Sequence, residues 1–255
     1  MPNLNNLTAL AAFDLPLEEA VDFLTKKIAT FSWSWDELTA AAHQQAFTVA
    51  KVLQADVLES IRGALEAAQA KGTPFEAFKK ELEPTLRAKG WWGEQELELE
   101  HPISGKPVKV QLGSPWRLET IYRTNLQSAF QAGRFKQQQA LVSRRPFFQY
   151  QAVTDTRTTG VCRALHGKVF AASDPIWARA YPPNHFNCRA RVVSLSEREL
   201  KREGLIPEGG GGGFKDWQPE KGFSGSPAAA WEPDVAKYSP GIRRQLKAAL
   251  KLVAD

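Results

Sequence analysis

The sequence predicts an α+β protein in three parts: a helical N-terminal region over residues 1–90, a small mixed α/β domain over residues 91–204, and a C-terminal segment over residues 205–255. Apolar residues recur at helical spacing in the first part, whereas polar and apolar residues alternate in short segments of the second part. Five consecutive glycines, Gly209–Gly213, predict a linker, which is followed by an extended segment and a final basic helix.

The N-terminal region is predicted to contain two or three packed helices. The first carries an apolar stripe made of Leu17, Val21, Leu24 and Ile28. Ser34 and Glu37 have the spacing of a capping box at the start of an Ala-rich segment. This pattern predicts a long helix that continues to about Gln69.

A further helix is predicted to begin at Thr73 and to end near Lys89. Thr73 is a favourable N-cap residue, Pro74 suits the first helical position and Glu76 suits the third. Gly90 stands where many helices end in a left-handed residue.

The middle part of the chain begins with strand-like alternation. Residues 96–100 and 108–112 alternate on either side of a Ser-Gly pair, which predicts a β-hairpin. Ser114, followed by a proline, is predicted to cap a long helix that runs to about Ala140.

Shorter elements complete the predicted domain. Strands are predicted at Phe147–Val153, Lys168–Phe170 and Arg189–Val193, and short helices at Arg163–His166 and from Ser196 to Gly204.

The composition is that of an ordinary globular protein. The chain has 255 residues, of which 43% are hydrophobic and 24% are charged. No apolar run approaches the roughly 20 residues that cross a bilayer, so we expect no membrane partner. The N-terminus lacks the basic and apolar regions of a signal peptide, which predicts synthesis in the cytoplasm.

Charge is distributed unevenly along the chain. Residues 1–100 contain 9 Lys/Arg against 16 Asp/Glu, a net charge of −7, and residues 101–255 contain 24 against 12, a net charge of +12. One interpretation is a solvated basic face with internal ion pairs, and the other is contact with nucleic acid or an acidic partner. The candidate contact residues are Arg144, Arg145, Arg157, Arg189, Arg191, Arg243 and Arg244.

Both cysteines and two of the four histidines lie in one stretch. Cys162 and His166 are four residues apart, and His185 and Cys188 follow as a second close pair. Two close pairs of such ligands suit a tetrahedral Zn²⁺ ion. The alternatives are two buried thiols with structural histidines, or a disulfide formed after release from the cell.

Enzyme chemistry finds little support in the motifs. A zinc deaminase needs a Glu beside its ligand His and a Cys-x2-Cys pair, but Gly167 follows His166 here. A metal-dependent nuclease needs clustered carboxylates, and residues 117–202 offer only Glu119, Asp155, Asp174, Glu197 and Glu199. We therefore expect no enzyme. A metal-dependent enzyme acting on nucleic acid, a toxin-like domain or a plain DNA-binding module remain the alternatives.

A set of fixed spacings resembles the head-morphogenesis domain of the phage Mu F-type minor head proteins. The resemblance covers about residues 115–202. Its residues are Asp155, Arg157, Thr158, Cys162, Leu165, Gly167, Asp174, Pro175, Trp177, Pro182, Pro183, Cys188 and Arg189, with Arg123, Thr124, Ala129 and Gly133 in the helix before them. Many members of that family have an Arg-Cys pair after the arginine that corresponds to Arg189, where this chain has Arg191 preceded by Ala190 and no second cysteine.

The resemblance implies a structural protein of a tailed-phage head. Such proteins associate with the portal and the inner capsid in few copies and take part in head assembly and DNA packaging. The expected partners are therefore a portal protein, a major capsid or scaffold protein and packaged double-stranded DNA, and the expected location is the virion.

Overall fold

The computed structural model describes residues 18–30, 46–50, 52, 54–100, 107–209 and 212–223. The helices are α1 Glu18–Thr25, α2 Ala55–Lys71, α3 Phe75–Ala88, α4 Pro115–Ala140, α5 Gly160–Leu165, α6 Trp177–Ala180 and α7 Glu197–Glu203, with a 3₁₀ turn at Gly212–Phe214. The strands are β1 Ile28–Ala29, β2 Ala46–Phe47, β3 Glu94–Glu100, β4 Pro107–Gln111, β5 Phe147–Gln151, β6 Val169–Ala171 and β7 Arg191–Leu195. The architecture is α+β, as the sequence predicts.

The first core lies among α2, α3, the hairpin β3–β4 and the first half of α4. Apolar side chains at helical spacing face one another there and exclude water, which is the main stabilising contribution of the region. The buried residues include Val57, Leu58, Ile61, Leu65, Phe78, Leu82, Leu86, Trp91, Val110, Leu112, Leu118, Tyr122 and Leu126. This core extends across the predicted boundary at residue 90.

The prediction of one long helix to Gln69 is wrong. Ala46 and Phe47 form β2, which pairs in parallel with β1 at Ile28 and Ala29. The helix α2 begins only at Ala55. Pairing between distant segments outweighs the helical propensity of the Ala-rich stretch. The proposed capping box at Ser34 and Glu37 lies outside the described residues.

The start of α3 also differs from the prediction. Pro74 is the N-cap and no side chain caps the helix. Thr73 instead joins neighbouring helices, because its amide donates to the Ala68 carbonyl at 3.0 Å and its carbonyl accepts from the Tyr122 hydroxyl at 2.5 Å. Gly90 ends the helix with φ of 73°, as predicted.

The hairpin and the long helix α4 are confirmed. Strands β3 and β4 pair antiparallel. Ser114 caps α4 by accepting a hydrogen bond from the Arg117 amide at 3.2 Å. The middle of α4 also supports α1, because Ala20 and Leu24 pack against Ala129.

The second core lies on a three-stranded antiparallel sheet with the order β6–β5–β7. Its largest buried side chains are aromatic: Phe148 and Phe170 pack edge-on against Trp177, which in turn contacts Tyr181. Such edge-to-face contacts add to the stabilisation gained from burial.

Polar side chains of α4 donate hydrogen bonds to backbone carbonyls along the outer edge of β7. Gln127 and Gln131 both donate to the Ala190 carbonyl at 3.1 Å, and Gln138 donates to the Val192 carbonyl at 2.8 Å. An unpaired strand edge exposes backbone groups to other chains, so these bonds both protect the edge and fix the sheet on the helix.

The chain after α7 packs back over the second core. The Glu208 amide donates to the Val169 carbonyl on the free edge of β6, and the Trp217 indole donates to the Val161 carbonyl of α5. The Glu220 amide donates to the Asn184 carbonyl. We call residues 205–209 and 212–223 the C-terminal strap. The predicted final helix lies outside the described residues.

The capping signals at the end of the second domain are confirmed. Ser196 and Glu199 form a complete capping box at the start of α7, and Gly204 ends that helix with φ of 62°. Within the described part of the chain, no helix combines the length and apolarity needed to cross a membrane.

Gln138 tests the contact between α4 and β7. It is buried, donates to Val192 and accepts from the Tyr181 hydroxyl at 2.8 Å. Gln138→Ala leaves two buried groups unpaired, so we expect the free energy of unfolding to fall by roughly 2–3 kcal/mol. Urea unfolding followed by tryptophan fluorescence measures this loss.

The matched control is the neighbouring Gln139, whose side chain is exposed. Gln139→Ala should change the free energy of unfolding by less than about 0.5 kcal/mol. Equal losses in the two variants would show that the strand edge does not depend on the glutamine bonds.

Candidate functional site

Three of the four predicted metal ligands converge in the second core. The Cys162 Sγ atom lies 3.1 Å from His185 Nε2 and 3.7 Å from Cys188 Sγ. The three ligand atoms lie within 4.8 Å of one another, and all three residues are buried. Both cysteines are free thiols.

Two segments bring these ligands together. Cys162 lies in the first turn of α5, whose N-cap Thr159 accepts a hydrogen bond from the Cys162 amide at 3.4 Å. His185 and Cys188 lie in a tight turn closed by the Cys188 amide and the His185 carbonyl at 3.3 Å. Asn187 has φ of 57° in this turn, a left-handed conformation that asparagine tolerates better than most residues.

His166 does not join the cluster. It is the C-cap residue of α5 and its side chain is exposed. Its Nδ1 atom accepts a hydrogen bond from the Ala152 amide at 3.1 Å, which fixes the ring beside β5. The structure therefore gives His166 a role in joining α5 to the end of β5.

Tyr150 and Asn184 complete the surroundings of Cys162, and the sequence motifs gave no sign of either. The Tyr150 hydroxyl lies 3.1 Å from Cys162 Sγ and accepts from Asn184 Nδ2 at 2.9 Å. Because Asn184 Nδ2 can only donate, the Tyr150 proton is free to point at the sulfur. The alternation of β5 places Tyr150 inward, but the contact with sulfur depends on the fold.

The electrostatics of the cluster favour a thiolate at Cys162. Hydrogen bonds from Cys188, His185 and Tyr150 lower the pKa of Cys162 to about 4 although burial opposes this. The same contact with Cys162, together with burial, raises the pKa of Cys188 well above its ordinary value. Burial disfavours the charged form of His185, but hydrogen bonds to Cys162 and the Phe186 carbonyl outweigh it and raise its pKa.

An ion pair ties the two ligand-bearing segments to each other. Asp155 precedes α5, and both of its carboxylate oxygens accept from the Arg189 guanidinium, at 2.6 and 2.7 Å. The Arg157 amide and the Thr158 hydroxyl also donate to Asp155, which makes a side-chain-capped turn. Arg189 follows Cys188 directly, so the ion pair fixes that ligand relative to α5.

The other candidate arginines differ in their solvent exposure and in whether they bond to other parts of the domain. Arg145 bonds to the Ser194 carbonyl and to Glu199, and Arg191 bonds to Gln151. These arginines, like Arg189, hold the domain together. Arg243 and Arg244 lie outside the described residues.

Arg144 and Arg157 project into solvent. Arg157 is 78% exposed and lies 3.8 Å from Asp155, a weak contact. Arg144 lines an open groove with Arg198 and Lys201 of α7, which we call the basic groove. The two α7 cations were missed because they look like ordinary surface residues of a short helix.

The chain is similar to a known protein family and to curated proteins. A family described as "Phage Mu protein F like protein" matches residues 59–193, just over half of the chain, and the chain belongs to that family. The match contains the three converging ligands and most of both cores.

Two curated relatives are similar over a longer stretch. The Mu-like prophage FluMu F protein of Haemophilus influenzae is 47% identical over 174 residues, which is 68% of this chain and 40% of that protein. The putative capsid assembly protein F of Escherichia phage Mu is 42% identical over 191 residues, 75% of this chain and 43% of that protein. The chain thus spans less than half the length of these relatives. No solved structure gives a significant match.

The Asp155–Arg189 ion pair should make stability depend on pH. The Arg189 guanidinium holds the pKa of Asp155 well below its ordinary value of 3.8. A lowered pKa in the folded state stabilises the protein above that ordinary value, and the contribution is lost as the pH falls below it. Asp155→Asn should therefore be less stable than the wild type at pH 7, and this difference should shrink below about pH 4.

Thermal unfolding measured between pH 7 and pH 2.5 checks this expectation. Asp216→Asn removes the same charge at an exposed position, and its difference from the wild type should stay small throughout. A deficit of Asp155→Asn that is the same at every pH would show that the carboxylate charge is not what stabilises the turn.

Proposed function

We propose that this chain is a structural component of a tailed-phage head that acts in head morphogenesis. The observation that carries the proposal is the 42% identity with the putative capsid assembly protein F of phage Mu, which extends over three quarters of the chain. Identity at this level over both cores supports a shared role and not only a shared fold. In this proposal the protein is made in the host cytoplasm and resides in the virion.

The proposed partners are a portal protein, a major capsid or scaffold protein and packaged double-stranded DNA. The uneven charge supports two kinds of contact, since the acidic N-terminal hundred residues suit a protein surface and the basic remainder suits phosphate.

The proposed role is structural and not enzymatic. Asp155 and Asp174, the carboxylates on either side of Cys162 in the sequence, already have structural partners. Asp155 binds Arg189, and Asp174 is buried with one oxygen accepting from the Ile176 amide at 2.9 Å. These partners support a structural role for both carboxylates.

Among the described residues, we propose the basic groove as the surface that contacts DNA. Arg144, Arg198 and Lys201 meet at its wall, with Ser143 as a further hydroxyl donor. Cations and hydroxyls of this kind bind the phosphates of DNA regardless of sequence. Glu197 also lines the groove, so its net charge is modest. A modest net charge suits weak, nonspecific contact with packaged DNA.

Head assembly is tested by co-expressing the tagged chain with the portal and major capsid proteins of the same phage. We expect the chain to sediment with proheads or with isolated portal rings, and untagged chain in excess to displace it. A chain that stays at the top of the gradient in both cases would refute the proposed function.

DNA contact is tested separately with purified protein and random-sequence duplex DNA. The double variant Arg144→Ala/Lys201→Ala should bind more weakly, and its affinity should depend less steeply on salt because it neutralises fewer phosphates. Fluorescence anisotropy over a salt series measures both effects.

The matched control removes two arginines that have ion-pair partners, Arg87 with Glu83 and Arg123 with Glu119. Arg87→Ala/Arg123→Ala should leave the salt dependence unchanged. If this control and the groove variant lose affinity equally, DNA contact is not located at the groove.

A further inference from the structure

We propose that Cys162, His185 and Cys188 bind one Zn²⁺ ion, with a water molecule as the fourth ligand. The site joins α5 to the turn at residues 185–188 and would fasten the second core. This inference goes beyond the proposed head-assembly function and does not depend on it.

The distance between the two sulfur atoms fits a tetrahedral zinc ion. With Zn–S bonds of about 2.3 Å, two sulfur ligands of a tetrahedron lie roughly 3.8 Å apart. Cys162 Sγ and Cys188 Sγ are 3.7 Å apart. A disulfide needs about 2.05 Å, so the present arrangement is closer to that of two ligands sharing an ion.

The histidine is oriented as a metal ligand, with Nε2 facing the cluster, and binding of the ion would release the proton that Nε2 shares with Cys162. His185 Nδ1 lies 2.8 Å from the Phe186 carbonyl, which can only accept, so Nδ1 carries the ring proton. The lone pair of the neutral ring is then on Nε2, the atom that faces Cys162 Sγ at 3.1 Å. A backbone carbonyl that orients a ligating histidine in this way is a regular feature of zinc sites.

The groups around the ligands support the same assignment. The Tyr150 hydroxyl, held by Asn184, is placed to donate to Cys162 Sγ, as groups around zinc thiolates do. The Asp155–Arg189 ion pair holds the two ligand-bearing segments at a fixed separation. The three ligands are therefore positioned before any ion binds, which favours binding.

The fourth ligand is assigned to water because no further His, Cys, Asp or Glu joins the cluster among the described residues. A narrow pocket whose wall includes Arg157, Thr159 and Arg189 reaches Cys162 and His185. Solvent can enter through it. His166 is excluded because it is exposed and bonds to the Ala152 amide.

Metal content and cobalt spectroscopy test the site in the full chain. Protein purified under reducing conditions from zinc-supplemented cells should carry one zinc ion per chain. Replacing zinc by Co²⁺ should give intense visible bands of a tetrahedral ion together with sulfur-to-cobalt charge transfer. His185→Gln and Cys188→Ser should lose the metal, and the control His166→Gln should retain it.

The wild-type protein supplies a readout that does not depend on variants that fold poorly. Zinc should protect Cys162 and Cys188 from alkylation and raise the melting temperature, and a chelator should reverse both effects. Wild type without bound zinc and without a cobalt spectrum would overturn the inference. So would a Cys162–Cys188 disulfide in freshly purified protein, or a His166→Gln variant that loses metal as completely as His185→Gln. Sedimentation with proheads tests the head-assembly role independently of these results.

Discussion

The fold depends on one helix that serves two cores. Helix α4 has 26 residues and is therefore about 39 Å long. Its first half buries Leu118, Tyr122 and Leu126 among the N-terminal helices, and its second half binds the edge of β7 through Gln131 and Gln138. Apolar burial holds it on one side and hydrogen bonds to backbone carbonyls hold it on the other. A change in the register of α4 would disturb both cores at once.

Locally encoded features could be predicted from the sequence, and features made by distant segments could not. Ser114, Ser196 and Gly204 each act within one turn of a helix, so residue type alone indicates their roles. Strand β2 was missed because only its pairing with β1 makes it a strand. Thr73 was misassigned because its partners are on α2 and α4.

The candidate site shows the same division. Spacing indicated Cys162, His185 and Cys188, because two close pairs of ligands need only short turns to converge. Spacing also predicted His166 as a ligand. Its side chain is exposed at the end of α5, and the sequence does not reveal this orientation. The role of Tyr150 could not be predicted from the sequence, because its contact with Cys162 arises only when β5 and α5 pack together.

The C-terminal strap extends the packed unit beyond the stretch shared with the family. The stretch shared with the family stops at residue 193, and it contains every ligand of the cluster. Yet Glu208, Trp217 and Glu220 donate to backbone carbonyls of β6, α5 and the ligand-bearing loop. A fragment cut at the limit of the family match would keep the ligands and lose the chain that covers them. Residues up to Glu220 therefore belong to the packed unit, twenty-seven residues beyond the end of the family match.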